Sequence, residues 1–457
     1  MNPTIEYFER SKNGKRMESA EFDDILMDTA MDLVDEYDLD FDLDEIVASD
    51  ERADAVFEAA VDFLSQVGLY NTTAKRVIPF DKDELLELAA DYKANPRTIE
   101  LGDGDERHLV APRTSADPRP PAIWAGGGQV SSLDVTADVV KCFEGEDVDG
   151  IMKVVDTGEV NGHAFATGTP AEVYCAWHAA KAQGEALAAI GKPGMFRGYV
   201  DAPSLGAVLA GFDEGMLTKR NCMVGIHIAP ELKVDEGRLV CAQAVELLDL
   251  VPWTSAMSMV GGLCGGPGGA AMGAVANLLA QLSYGHGKWA SIVTTNMQGA
   301  QRRPMTLAAA SAAHRAVERN IGVATGIPCI DSSVMTCYEE SLLAGATIAV
   351  DLCASGGAVD WYGGGSPLAA RIHRAVLADV AGKPREETND LVLRLIAAGE
   401  KIEAEHEGGQ VTLLDQLPEK SYDLATHKPR PEFAEAAEYV VEVLKGSGVS
   451  LGGLSLD

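Results

Sequence analysis

Positive charge is scarce in this chain, and long apolar runs are missing. Only 37 Lys and Arg residues stand against 70 Asp and Glu, a formal net charge of −33 over 457 residues. A surface of that sign repels phosphate backbones and anionic headgroups, which argues against a nucleic-acid or acidic-membrane partner. No apolar run approaches the roughly 20 residues a membrane-spanning helix needs, so no membrane partner is expected. The opening segment, MNPTIEYFERSKNGKRMESAEFDD, lacks the apolar core of a secretory signal, and a cytoplasmic location is expected. The eight cysteines contain no CxxC pair, which points to free thiols rather than disulfides. No GxGxxG follows the first apolar run either, since WAGGGQ lacks the spacing.

The acid that is present fits a protein from a salty cytoplasm, whose surface must hold water against salt. An ordinary acidic enzyme is the alternative. The hydrophobic content of 46% and charged content of 23% are those of a soluble globular chain.

Texture divides the sequence into three parts. Residues 1–118 are acidic, with helical periodicity at Ala53, Val56, Phe57, Ala60, Val61 and Leu64 and again through DKDELLELAADYKAN. They read as an N-terminal helical extension that ends at the proline-rich stretch Ala111 to Ala122. Residues 119–382 repeat a different pattern. Short apolar runs (AIWAGGG, MKVVDTGEV, MFRGYV, NCMVGIHIA, WTSAMSMVGG, KWASIVTTNMQG, NIGVATGIPC and GAVDWYGGG) alternate with helical ones. Strands apolar on both faces and joined by helices belong to a parallel sheet. Eight such units in about 260 residues match the size of an α/β fold of the (β/α)8 or TIM-barrel type. A doubly wound open sheet is the runner-up. Residues 383–457 return to charged helical patterns and read as a C-terminal helical extension.

In a barrel, chemistry sits where strands end and loops begin. The residues there are Asp201, His227, Glu231, Ser255, Asp331, Asp360, Trp361 and Tyr362, with Tyr199 just before Asp201. Helix capping alone would account for Asp201 and Asp331, and His227 would serve equally as a satisfied core histidine. A zinc site from His227, Cys264 and Cys329 lacks any recognisable ligand spacing, and no metal is expected in the site. The run MVGGLCGGPGGAAMGAVANLL, Met259 to Leu279, is the barest segment. Its glycines Gly261, Gly262, Gly265 and Gly266 would let a large group approach the backbone closely.

Four motifs occur together in order: GKPGM before the third strand, PELKVD after the fourth, GGLCGG after the fifth and CYEESLLA after the seventh. With GLYNTTAKRVIPFDKDEL near the start, they resemble the monomethylamine:corrinoid methyltransferases of methylotrophic methanogens. The resemblance implies a homo-oligomeric (β/α)8 barrel that passes a methyl group from a methylamine to the Co(I) corrinoid of a separate protein. No cofactor would then be tightly bound; a corrinoid protein would be the partner and a small methylated amine the substrate. In that family the strand after GxPGM carries a pyrrolysine, whose place falls here at Gly198 or Tyr199. Gly225 and Ser255 stand where the family has glutamates.

Without that electrophile a primary amine stays a poor leaving group, whereas a quaternary ammonium departs as a neutral amine. The expected substrate is therefore quaternary or otherwise pre-activated. Phe196, Tyr199, Trp253, Trp361 and Tyr362 would offer ring faces to the cation. Glu231, Asp331 or Asp360 would give the counter-charge, and His227 would protonate the departing amine. The alternatives are an inactive binding or scaffold homologue and an unrelated barrel enzyme.

Overall fold

Eight strands pair edge to edge into one parallel sheet. Its strands are β1 (Ala122–Ala125), β2 (Gly150–Ile151), β3 (Tyr199–Val200), β4 (Met223–Gly225), β5 (Pro252–Val260), β6 (Trp289–Asn296), β7 (Ala324–Pro328) and β8 (Val359–Trp361). Neighbours run β2-β1-β8-β7-β6-β5-β4-β3, and each of the seven pairs is parallel. The sheet's ends also touch: Gly150 and Phe196 form a parallel bridge, and the Ile151 N–H donates to the Phe196 carbonyl at 3.0 Å. The structure, a computed structural model, describes every residue except 1, 127–132, 153–158, 201–203, 214–215, 230, 329–330, 332, 362–364, 407 and 457, and the side chains of 199, 200, 413 and 414.

A helix follows each strand: α1 (Thr136–Cys142), α2 (Pro170–Ala189), α3 (Leu205–Ala210), α4 (Glu236–Leu247), α5 (Pro267–Gly285), α6 (Pro304–Asn320), α7 (Tyr338–Ala354) and α8 (Pro367–Val380). Proline in the first turn starts α2, α5, α6 and α8, where its missing N–H costs nothing. Asp235 and Ser366 cap α4 and α8 by accepting from the N–H groups of Arg238 and Ala369. Among the described residues no helix is long and apolar enough to cross a membrane.

One expectation needs correction. The second strand lies at Gly150–Ile151, ahead of MKVVDTGEV, and the Glu159–Val160 end of that run pairs instead with His163–Ala164 as a small hairpin. A two-residue strand shows no period of its own, so the longer apolar run beside it drew the assignment.

Alternation along the strands sorts the side chains into two layers. Ile123, Ala125, Ile151, Val224, Ile226, Ala256, Ile292 and Ile327 join the large core shared with the helices. Trp124, Met152, Phe196, Met223, Trp289, Val359 and Trp361 form a second cluster within the sheet. Ile99, Leu101 and Val110, from the hairpin Ile99–Leu101/His108–Val110, complete that second cluster. The hairpin covers the strands' amino-terminal end: Gly102 and Asp103 donate to the carbonyls of Arg220 and Gly194, just ahead of β4 and β3.

The chain before β1 contributes helices Pro3–Asn13, Ser19–Glu36, Asp50–Val67 and Lys82–Ala94; beyond α8 lie helices Arg385–Glu405 and Pro431–Gly446. Helix Asp50–Val67 packs across α5 and α6 and is tied down by a bidentate Arg319–Asp54 pair at 2.9 and 2.7 Å. The proline-rich stretch is clamped rather than slack. Buried Arg113 donates to the carbonyls of Gly357, Asp117 and Arg119.

Candidate functional site

The hairpin that covers the amino-terminal end of the sheet packs against a layer of aromatic side chains inside it. That layer is the floor of the interior. Trp124, Trp289 and Trp361 meet with ring centroids 5.1–6.3 Å apart, and Trp253 lies 5.3 Å from Trp361. Trp253 is half-buried and is oriented by its indole N–H, which donates to Ser291 Oγ at 2.8 Å. The His227 ring rests against Trp253 at 4.6 Å. Gly225 makes that possible, because a Cβ there would come within 2.9 Å of the imidazole. The sheet interior thus presents a half-exposed indole and an imidazole side by side, above a buried tryptophan layer.

The expected site residues divide. His227 joins this interior. Ser255 shares the inward face with Trp253 by alternation and is buried; its backbone is clamped by Gln281, which donates to its carbonyl at 2.7 Å and accepts from its N–H at 3.0 Å. Its hydroxyl has no hydrogen-bond partner among the described residues. Trp361 is only 4% exposed, so it is part of the floor rather than an open ring at the mouth. Asp360 points the other way, as the neighbour of an inward residue on a strand must. It is fully buried and bonded to His373 Nδ1 of α8 at 2.7 Å, which removes it from the interior as a counter-charge. Asp201 and Tyr362 lie outside the described residues, as does the side chain of Tyr199.

Asp331 is buried and already engaged. It accepts from the Gln301 N–H at 2.9 Å and from Ser333, and it lies 3.5 Å from the Arg302 guanidinium. Arg302 also pairs with Glu340 at 3.0 Å, and Glu340 accepts from Thr336. This network holds the loop between β7 and α7. Neither Arg302 nor Ser291 was singled out from sequence. Arg302 and Arg303 precede a helix N-terminus, where the dipole disfavours cations, and that unfavourable placement is the signal that carboxylate partners exist.

Glu231 is half-buried in the turn after β4, beside Cys264. Burial, with a smaller push from Glu231, raises the Cys264 thiol to about 12. Cys329, the third member of that conceivable zinc set, lies outside the described residues.

The glycine run is a built turn followed by a packed helix start. Gly261 donates to the Gly265 carbonyl at 2.7 Å, and both glycines have positive φ (87° and 79°). A Cβ on Gly268 or Gly269 would strike the carbonyl oxygens of Leu39 or Cys264, at 2.0 and 1.8 Å. Gly262 is tight against Met259. Only Gly265 and Gly266 look onto open space, with nothing within 4 Å of a Cβ. Exposed Met259, Met297 and Val334 lie on the same carboxyl-terminal side.

Comparison with known proteins agrees with this architecture. The family model for monomethylamine methyltransferase MtmB matches residues 3–449. Monomethylamine methyltransferase MtmB of Methanosarcina mazei is 28% identical over 193 residues, which is 42% of this chain and 41% of that protein. MtmB1 of Methanosarcina acetivorans matches to the same extent. By sequence, therefore, the chain spans about two fifths of the length of these curated relatives. The crystal structure of the Methanosarcina barkeri monomethylamine methyltransferase superposes with a TM-score of 0.87 at 22% identity, covering 98% of each chain. The hydroxylamine complex of MtmB superposes equally well. With the family model spanning nearly its whole length, the chain belongs to the monomethylamine methyltransferase MtmB family.

Proposed function

We propose that this protein transfers a methyl group from a quaternary or otherwise pre-activated methylated amine to the Co(I) corrinoid of a partner protein. The observation that carries the reading is the pairing of half-buried Trp253, near the start of β5, with His227, just after β4, in a chain of this family. A ring face attracts a cation by roughly 0.5–2 kcal/mol. The proposed cation face therefore moves from Trp361 to Trp253.

The electron balance needs no covalent adduct. The C–N bond breaks with its pair going to nitrogen, which leaves as a neutral amine, and Co(I) supplies the pair that takes the methyl group. His227 and Trp253 would orient the ammonium, and Glu231 is the remaining described acid of the expected set for its counter-charge. Gly265 and Gly266 leave room for a corrin ring to approach. Gly198, in the segment just before β3, has positive φ (88°), which suits glycine and not a long electrophilic side chain.

The sheet is best read as a closed (β/α)8 barrel, supported by the Gly150–Phe196 bridge between its end strands. Residues 1–118 and 383–457 are its helical extensions, and a homo-oligomer is the expected assembly. A second reading, an inactive binding or scaffold member, draws support from the internal engagement of Asp331 and Asp360. One assay separates the two: mix the purified chain with a Co(I) corrinoid protein and a panel of methylated amines, and follow methyl-cobalt formation by absorbance. Turnover with a quaternary ammonium is expected, with Trp253→Ala weakening its binding roughly 2- to 30-fold. Turnover with monomethylamine alone, or with no amine, overturns the proposal.

A further inference from the structure

A second cluster of ligating groups lies away from the sheet interior, where α7 begins and helix Arg385–Glu405 ends. Cys337 is the N-cap of α7, Glu339 is in its first turn, and His406 is the C-cap of helix Arg385–Glu405. One donor atom from each lies within 4.8 Å of the other two. The segments that carry them are held together: Met335 and Val411 form an antiparallel bridge with hydrogen bonds of 2.6 and 2.7 Å. Gly409 permits that approach, since a Cβ there would lie 1.8 Å from the Thr336 carbonyl oxygen.

The details suit a metal ion. His406 Nδ1 lies 3.0 Å from the Ile402 carbonyl oxygen, which can only accept, so Nδ1 carries the proton and Nε2 keeps its lone pair. The Glu340 backbone N–H points to the Cys337 sulfur, a donor that would support a thiolate. Without a cation, burial and the nearby Glu339 carboxylate raise this thiol. A bound dication would replace the thiol proton and offset both negative charges.

We propose that Cys337, Glu339 and His406 bind one zinc ion, with water in the fourth position. Sulfur and imidazole together select zinc over calcium or magnesium, which prefer all-oxygen sites. Tetrahedral distances of about 2.0–2.3 Å place donors roughly 3.3–3.8 Å apart, so the three must draw in by about an ångström. Exposed His406 and half-exposed Glu339 can do so by side-chain rotation. The ion would staple the loop after β7 to the C-terminal segment.

The test uses the full chain, stripped by chelator and titrated with CoCl2 in excess MgCl2, which occupies the many acidic surface groups. One equivalent of cobalt should produce a thiolate-to-cobalt charge-transfer band that zinc abolishes, and zinc should raise the melting temperature. Cys337→Ser should lose the band, and His406→Ala, at an exposed position, should weaken cobalt binding about tenfold or more. Absence of the band at stoichiometric cobalt, or its survival in Cys337→Ser, overturns the site. Should Cys337→Ser misfold by circular dichroism, undiminished cobalt affinity in His406→Ala overturns it as well.

Discussion

His314 on α6 and Asp351 on α7 are both buried among hydroxyls rather than charges, and their titrations act in opposite directions. His314 bonds Thr325 Oγ1 through Nδ1 at 2.8 Å, and burial lowers it from 6.5 to about 3. Its neutral form fits the fold, so its contribution is intact above pH 6.5 and is lost as pH falls toward 3. Asp351 lies by Ser311 and Ser355, and burial raises it well above its ordinary 3.8. Its contribution is intact below 3.8 and is lost as pH rises through the folded value. Between those two ordinary values the unfolded chain binds the histidine proton and the folded chain the aspartate proton, so the slopes cancel. Asp351→Asn removes one side of the balance. It should raise stability at neutral pH and expose a loss of about 1.4 kcal/mol per pH unit on acidifying below 6.5. Denaturant melts from pH 4 to 8 read this directly; an unchanged pH profile would mean that Asp351 is ionised in the fold.

At the level of elements, the start of α5 shows how a glycine run can be structural at one end and open at the other. Gly269→Ala forces a Cβ onto the Cys264 carbonyl oxygen, and Gly268→Ala onto that of Leu39, so backbone must move in both. Each should cost about 1–3 kcal/mol, as overpacking at a buried contact does. Gly266→Ala meets nothing and should be near neutral for stability. If Gly266→Ala also leaves methyl transfer intact while bulkier Gly266→Trp blocks it, the open end is where a large partner approaches. Gly266→Trp without effect removes that role. From sequence the run looked uniform, because neither Leu39 nor the Cys264 carbonyl can be located without the fold. The long strands and helices were legible, since glycine and proline punctuate the apolar runs and proline opens α2, α5, α6 and α8. That Asp360 and Trp361 face opposite ways was also legible in principle from the period of two. The engagement of Asp331 was not, because Arg302 comes from the preceding strand–helix unit.

Over the whole molecule, a net charge of −33 sets the balance between attraction and repulsion. Ion pairs such as Arg319–Asp54 and Arg303–Glu403, at 2.7 Å each, tie helices Asp50–Val67 and Arg385–Glu405 to α6 and the residue before it. Exposed pairs of this kind are worth about 0–1 kcal/mol, and salt weakens them. The acids in excess of the basic residues repel one another at longer range, and that cost falls as the Debye length shrinks from about 10 Å at 0.1 M to about 3 Å at 1 M. The two effects oppose each other. With nearly twice as many acids as bases, relief of repulsion should dominate, and the melting temperature should climb by several degrees between roughly 0.1 and 2 M KCl. A non-ionic osmolyte at matched osmolality separates screening from solvent exclusion, because it leaves the charges unscreened. A steep rise with KCl and a shallow one with the osmolyte fit a chain built for a salty interior. A flat or falling KCl curve means that the paired charges carry the stability, and the surface is then that of an ordinary acidic enzyme.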